Sequence, residues 1–261
     1  MIKLLDLDRP PELTDEVIDE KTSRFINDKD SVVWKDPYIV NRLMQMSRNK
    51  CCYCERRIGI NSEYPNVDHY HPKSRYEKEV VKWDNLLPSC PRCNNKKHTH
   101  DTEKEPIVHP KHNDPRKYLC IYYGRYYAIN NVNQADYKYA EVGDTTCAVL
   151  HLNDLDILEP RFNAANTALD TFQTIFDNAN GLYGRKDRNN TALAKLRNSF
   201  INLLKEAQPE SEYSATVATS ILGHHDYRKL IGMMEQLGIW NEDMQALHNA
   251  ADSIRMPPTR I

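Results

Sequence analysis

The sequence predicts an α+β protein that is mainly helical, with a helical lead over 1–49, a small ββα unit over 50–117 and a larger helical region over 118–261. Two cysteine pairs bracket two short extended segments, and apolar residues recur at helical spacing before and after them. Hydrophobic residues make up 40% of the 261-residue chain and charged residues 28%, as in folded globular proteins. The formal net charge of −2 excludes a histone-like polycation.

In the N-terminal lead, helical spacing of apolar residues predicts two helices, over 13–27 and 38–47, the second with Pro37 at its start. No apolar run reaches the roughly 18–20 residues that span a bilayer. Asp6 and Asp8 also interrupt the first apolar residues, unlike the core of a signal peptide. We therefore expect a cytoplasmic protein.

Four of the seven cysteines form two Cys-x-x-Cys pairs, Cys51 with Cys54 and Cys90 with Cys93. Two such pairs can converge on one tetrahedral zinc ion, so the spacing predicts a structural Zn²⁺ site. The alternative, a redox Cys-x-x-Cys, needs a βαβ setting that neither pair has. Cys52 in place of Cys51 would shorten the first pair to Cys-x-Cys, so Cys52 is not assigned as a zinc ligand. The two remaining cysteines lie in apolar surroundings, as buried structural thiols do.

The 35 residues between the cysteine pairs exceed what a minimal zinc ribbon requires. Residues 67–74 read as a short strand closed by Pro72, and residues 83–88 as a second strand. A short helix should open at Cys93. These elements predict a compact ββα unit with zinc at its base.

This segment resembles the HNH endonucleases of the ββα-metal superfamily, whose pattern is Asp-His, then Asn, then Asn or His after the second cysteine pair, with Lys three residues on. Asp68 and His69 match the first pair, Asn85 the central Asn, and Asn94 the third position. The resemblance implies that His69 is the general base, that Asp68 and Asn94 hold a divalent cation, and that Asn85 orients His69.

The residue types suit this chemistry. Phosphodiester hydrolysis needs a base with a pKa near neutrality, which histidine supplies. Oxygen ligands such as Asp68 and Asn94 suit Mg²⁺ or Mn²⁺, which would offset developing negative charge. In a regular strand Asp68 and His69 would face opposite sides, so a shared site requires a twist or a strand end there. His71 shares a face with His69 and is the less favoured candidate for the base, because Asp-His-x-x-Pro sets the register.

Four basic residues near the second cysteine pair and the first strand are candidate phosphate contacts, although such charges are commonly solvated surface: Lys73, Arg92, Lys96 and Lys97. Histidines at 98, 100, 109 and 112 could form a second metal site or touch phosphate, but their spacing fits a loop with incidental histidines better. His224 and His225 read as solvent-exposed.

In the C-terminal region, the sequence predicts a hairpin over 118–129 that turns at Gly124-Arg125. Helices are predicted after it. Tyrosines in this hairpin are more consistent with cross-strand packing than with base stacking. The helical segments are 145–152, 160–180 ending at Gly181, 191–205, 215–222, 227–237 and 241–254, with linkers at 180–184 and 208–211.

A closer resemblance, from Lys50 to Cys90 and again over 149–161, is to the HNH nucleases of Septu-type antiphage systems. It implies a DNA-cleaving effector bound to an ABC-type ATPase partner, PtuA in those systems. Two alternatives remain open: a non-catalytic zinc module that binds nucleic acid or protein, and an RNA-cleaving toxin.

Charge is unevenly distributed. Residues 51–97 carry nine Lys and Arg against six Asp and Glu, whereas the whole chain is negative. A free nuclease that captures DNA by its own field would usually be more basic. We therefore expect a partner docked on the helical region to assist DNA capture.

Overall fold

The computed structural model describes residues 1–59, 65–129, 137–185 and 189–257. It confirms a mainly helical α+β protein with small antiparallel strand pairs. The chain divides into two units, Met1–Leu119 with Tyr127–Asn153, and Cys120–Tyr126 with Asp154–Ile261. Among these residues, no helix has the length and apolar character needed to cross a membrane.

The first unit contains two lead helices, α1 (Asp15–Asn27) and α2 (Pro37–Met46). Thr14 caps α1 by accepting a hydrogen bond from the Val17 amide, and Pro37 starts α2 with a backbone already set for a helix. Ile39 and Leu43 on α2 are buried, and α2 packs against the strand β2 (Leu86–Ser89). The N-terminal lead therefore shares a hydrophobic core with the ββα unit.

The ββα unit consists of β1 (Asn66–His69), antiparallel β2, and α3 (Pro91–Lys97). The register pairs Asp68 with Leu87 and His69 with Leu86. Pro88 lies opposite Val67, and its carbonyl accepts a hydrogen bond from the Cys52 amide at 2.9 Å. The first cysteine pair is thereby tied to the sheet.

The predicted second strand is shorter than expected, because Trp83–Asn85 forms a 3₁₀ turn before β2. The hairpin is formed by β3 (Leu119–Tyr122) and β4 (Arg125–Ala128), and it turns at Tyr123-Gly124, one residue before the predicted turn. Both turn residues have positive φ, as tight hairpin turns require. Helix α4 (Tyr137–Val149) follows and belongs to the first unit.

The second unit is a helical bundle built on the 29-residue α5 (Leu155–Tyr183). This helix packs against α6 (Asn190–Glu206), α7 (Ser214–Leu222) and α8 (Tyr227–Gln236). Phe172, Ile175 and Ala179 of α5 lie in its core with Phe200 and Leu230 of the neighbouring helices. The last described helix, α9 (Glu242–Ile254), packs against α6 and α7.

Candidate active site and metal sites

The predicted cysteine ligands converge. The four sulfur atoms of Cys51, Cys54, Cys90 and Cys93 lie within 4.8 Å of one another, and all four side chains are buried. The Sγ atoms of Cys54 and Cys90 are 3.8 Å apart, close to the separation of about 3.8 Å that tetrahedral geometry gives for Zn–S bonds of ~2.3 Å. This donor set fits zinc.

Local backbone turns shape both cysteine pairs. The Cys51 amide donates to the Arg56 carbonyl at 2.8 Å, and Glu55 adopts a left-handed conformation that closes the first turn. In the second pair, Cys90 caps α3, its sulfur accepting from the Cys93 amide at 3.4 Å. Burial opposes ionisation of the Cys51 thiol, but contacts from neighbouring thiols outweigh it and lower its pKa to about 5. The Cys51 sulfur therefore favours the thiolate, the form that binds metal, whereas contacts with the other thiols of the cluster raise the pKa of Cys93.

His69 is the last residue of β1, and its ring is held by a backbone carbonyl. Nε2 lies 2.8 Å from the Val80 carbonyl oxygen, and the ring meets Trp34 edge-on at 4.9 Å between centroids. Because a carbonyl only accepts, Nε2 carries the proton in the neutral ring. Nδ1 then keeps a lone pair that can accept a proton.

Burial also fixes the charge of this ring. His69 is 6% exposed, and desolvation, with smaller contributions from the Lys73 and Lys97 charges, lowers its pKa to about 3. The ring is therefore neutral at pH 7. The neutral imidazole with Nδ1 unprotonated has the protonation state of a general base, but its pKa lies below the near-neutral value that the sequence predicts for this residue.

Asp68 is buried beside His69, and each carboxylate oxygen has a donor. The Tyr53 hydroxyl donates to Oδ2 at 2.6 Å, and the Lys97 ammonium approaches Oδ1 at 3.2 Å. Lys97 also donates to the His69 carbonyl at 2.6 Å. Burial raises the pKa of Asp68, and these two partners oppose that rise. The contacts compensate the cost of a carboxylate inside the protein.

Asp68 and His69 line one open cavity of about 330 Å³ although they alternate along β1. The position of His69 at the strand end explains how both reach it. Asn94 on α3 also lines the cavity, and so does His98, four residues further on. Sequence reasoning treated His98 only as one of the loop histidines, yet its i+4 spacing from Asn94 could have placed it beside the other side chains.

Asn85 is buried, and its hydrogen bonds go to backbone groups. Its Oδ1 accepts from the His71 amide at 2.7 Å, and Nδ2 donates to the carbonyls of His71 and Glu79 at 3.1 and 3.0 Å. These bonds do not involve the His69 ring, which bonds the Val80 carbonyl, so Asn85 could orient His69 only through the backbone. Asn85 instead joins the segment after His69 to the segment that ends at Val80.

Two of the four expected phosphate contacts are structural. Lys97 is 1% exposed and bound to Asp68, because a buried ammonium needs a counter-charge. The Arg92 guanidinium donates to the carbonyls of Leu150 and His151 at 2.8 and 2.9 Å, so it caps the end of α4.

The other two phosphate candidates remain accessible. Lys73 lines the cavity with its ammonium 5.0 Å above the Trp34 ring. Lys96 is exposed on α3.

The remaining histidines serve several roles. His71 Nδ1 lies 3.0 Å from the Thr102 hydroxyl, and His109 is buried with Nε2 3.1 Å from the Asp84 carbonyl. His100 bonds the Glu105 carbonyl. His225 is exposed, as expected, whereas His224 is half-buried against the Phe172 ring.

The comparisons with known proteins agree with this geometry. Residues 51–100, which hold the cysteine cluster and the cavity residues, match the model of the HNH endonuclease family. The protein is an HNH endonuclease.

The relatives extend the match to nearly the whole chain. The Septu protein PtuB of Bacillus thuringiensis is 38% identical over 260 residues, covering 99% of this chain and 96% of that protein. The Septu protein PtuB of Bacillus mycoides (strain KBAB4) is 35% identical over 74 residues, 23% of this chain and 25% of that protein. The chain belongs to the PtuB family of Septu proteins.

Proposed function

We propose that this nuclease hydrolyses DNA phosphodiester bonds with His69 as general base and with Asp68 and Asn94 as ligands of Mg²⁺ or Mn²⁺. The observation that carries the proposal is the His69 ring, whose Nε2 proton is held by the Val80 carbonyl and whose neutral Nδ1 can accept a proton from water. Asp68 and Asn94 line the same cavity and supply oxygen donors.

Each side chain has a defined task in this mechanism. His69 removes the proton of the attacking water, and Trp34 and Val80 fix the plane of its ring. Lys97 holds Asp68 and the His69 backbone in register. A divalent cation at Asp68 and Asn94, with His98 close by, would offset negative charge on the phosphate and on the leaving oxygen. Lys73 and Lys96 would contact neighbouring phosphates.

Structural zinc at the four cysteines would support this site. The Cys52 amide bonds β2, and α3 begins at the second cysteine pair, so the cluster holds the elements that carry Asp68 and Asn94. Zinc bound there would contribute to the stability of the nuclease unit rather than to the chemistry.

The role in defence is proposed from the PtuB relatives. An ATPase partner resembling PtuA would restrain or license cleavage during phage infection, and the helical bundle offers surface that the chemistry does not use. The identity over 99% of the chain, bundle included, supports a whole-length function of the PtuB type.

The test compares plasmid cleavage by the wild-type complex and by a His69→Ala complex, with added Mg²⁺ or Mn²⁺. We expect His69→Ala to reduce the cleavage rate at least 100-fold, since general acid–base catalysis contributes about 10²–10⁴. His225→Ala, at an exposed histidine, is the matched control and should keep wild-type activity.

Parallel incubation with tRNA distinguishes the substrate class. Cleavage of plasmid with tRNA intact supports a DNA nuclease, whereas the reverse result would replace DNA with RNA. Equal plasmid cleavage by wild type and His69→Ala would contradict the assignment of the base.

A further inference from the structure

Tyr53 lies between the two cysteines of the first pair, and its hydroxyl reaches the active site. The side chain is fully buried, and the hydroxyl donates to Asp68 Oδ2 at 2.6 Å across fifteen positions of the chain. The next residue, Cys54, is a member of the cysteine cluster. One residue therefore touches both the candidate structural metal site and a candidate ligand of the catalytic cation.

The position of Tyr53 is set by the cysteine pair and the sheet together. The Cys52 amide bonds the Pro88 carbonyl on β2 at 2.9 Å, and β2 pairs with β1 directly beside Asp68. The Cys51 amide fixes the other side of the turn through the Arg56 carbonyl. The Tyr53 hydroxyl is thus delivered to Asp68 by a backbone that has little freedom to move.

The hydroxyl restricts how the Asp68 carboxylate can turn. Lys97 approaches Oδ1 and Tyr53 binds Oδ2, so the two oxygens are distinguished and rotation of the carboxylate would break both contacts. Each carboxylate oxygen has more than one lone pair, so one donor does not exhaust its capacity to bind a cation. Donors that orient a metal ligand typically change metal affinity 10–100-fold.

We propose that Tyr53 is a positioning residue that orients Asp68 for the divalent cation and so links the cysteine cluster to the active site. The proposal rests on the proposed function, because it requires Asp68 to be a ligand of that cation. Tyr53 acts through Asp68 and does not touch the reacting groups.

The test uses Tyr53→Phe, which removes only the hydroxyl. Mn²⁺ binding to the zinc-loaded protein, without DNA, is measured from the free-Mn²⁺ electron paramagnetic resonance signal. We expect the Kd for Mn²⁺ to rise about tenfold or more, with unchanged zinc content. The Mn²⁺ concentration needed for half-maximal plasmid cleavage by the complex should rise in parallel, while the rate at saturating Mn²⁺ stays near wild type.

Tyr227→Phe is the matched control. Tyr227 is also buried, and its hydroxyl makes a 2.9 Å hydrogen bond to His248 in the helical bundle. It should leave Mn²⁺ affinity unchanged. Wild-type affinity in Tyr53→Phe, or loss of zinc from it, would overturn the proposal, since Tyr53 would then serve only packing or zinc retention.

An Asp68→Asn background separates this inference from the proposed function. If Asp68 is the ligand, Asp68→Asn weakens Mn²⁺ binding, and adding Tyr53→Phe weakens it little further. Unchanged Mn²⁺ affinity in Asp68→Asn would refute the ligand assignment itself. Weakening by Asp68→Asn together with an independent, additive effect of Tyr53→Phe would refute only the positioning role.

Discussion

At the scale of single residues, the side chains of the nuclease motif were predictable but their partners were not. The resemblance to the HNH pattern identifies Asp68, His69 and Asn94, and the structure places all three at one cavity. The group that fixes the His69 ring is the carbonyl of Val80, which every residue type possesses. The sequence also predicts Lys97 as a phosphate contact, because a local sequence pattern does not show that this side chain is buried.

His109 should make the stability of the protein sensitive to acid. Its Nδ1 accepts from the Lys111 amide, and Nε2 faces the Asp84 carbonyl, so both ring nitrogens are used in the neutral form. Burial, with the nearby charges of His112 and Lys111, lowers its pKa to about 3. Between that value and about 6.5 only the unfolded chain takes up this proton, so stability falls as pH falls.

The measurement is urea unfolding at pH 7 and pH 5 for wild type and His109→Gln. We expect the variant to lose less free energy of unfolding between these pH values, by up to about 2 kcal/mol. His69 contributes in the same direction and keeps some acid sensitivity in both proteins. Equal losses in the two proteins would show that His109 does not cause the effect.

At the scale of secondary structure, helix existence was predictable and helix ends were less so. Helix α5 was expected to start at Pro160 and end at Gly181, but it runs from Leu155 to Tyr183. It starts early, and Ile157 and Leu158 of its first turn are buried. It continues through Gly181 because a single glycine costs a helix only about 1 kcal/mol. The 3₁₀ turn at Trp83–Asn85 runs directly into β2, and three residues are too few to show a helical period in the sequence.

Arg92 and Lys96 both lie on α3, but we expect Arg92 to stabilise the fold and Lys96 to bind DNA. Arg92→Ala removes two charged hydrogen bonds to the end of α4 and should lower the free energy of unfolding by about 1.5–3 kcal/mol. It should leave DNA affinity of the folded protein unchanged. Lys96→Ala should do the opposite, weakening DNA binding with a stability change within about 0.5 kcal/mol.

Unfolding titrations and binding of a labelled duplex check both variants side by side. Suppose that Arg92→Ala weakened DNA binding and left the free energy of unfolding unchanged. The role of Arg92 as a cap of α4 would then be wrong, and Arg92 would instead be the phosphate contact that the sequence predicts.

At the scale of the whole molecule, the charge distribution bears on how the proposed DNA substrate would be bound. The segment 51–97 has a small positive excess, within a chain of net charge −2. Lys97 and Arg92 are also committed to internal contacts, which reduces the positive charge presented to phosphate. Sequence alone gave the charge balance, whereas folding decides which charges face solvent.

We therefore expect the isolated chain to bind DNA weakly and an ATPase-containing complex to bind it more tightly. Binding of a labelled duplex at roughly 50 and 200 mM salt measures both the affinity and the number of phosphate contacts. The isolated chain should show a shallow salt dependence, and the complex a steeper one. Tight, strongly salt-dependent binding by the isolated chain would contradict the idea that DNA capture depends on a partner.

The edge of the two-stranded sheet limits how such a partner can act. On β2, Pro88 has no amide proton, its carbonyl is occupied by Cys52, and the Leu86 amide donates to the Trp83 carbonyl. An incoming peptide strand would therefore find no outward amide donor at Leu86 or Pro88. A regulator that works by strand addition is therefore excluded at the β2 edge, and it would have to use side chains, helix surfaces or another strand edge.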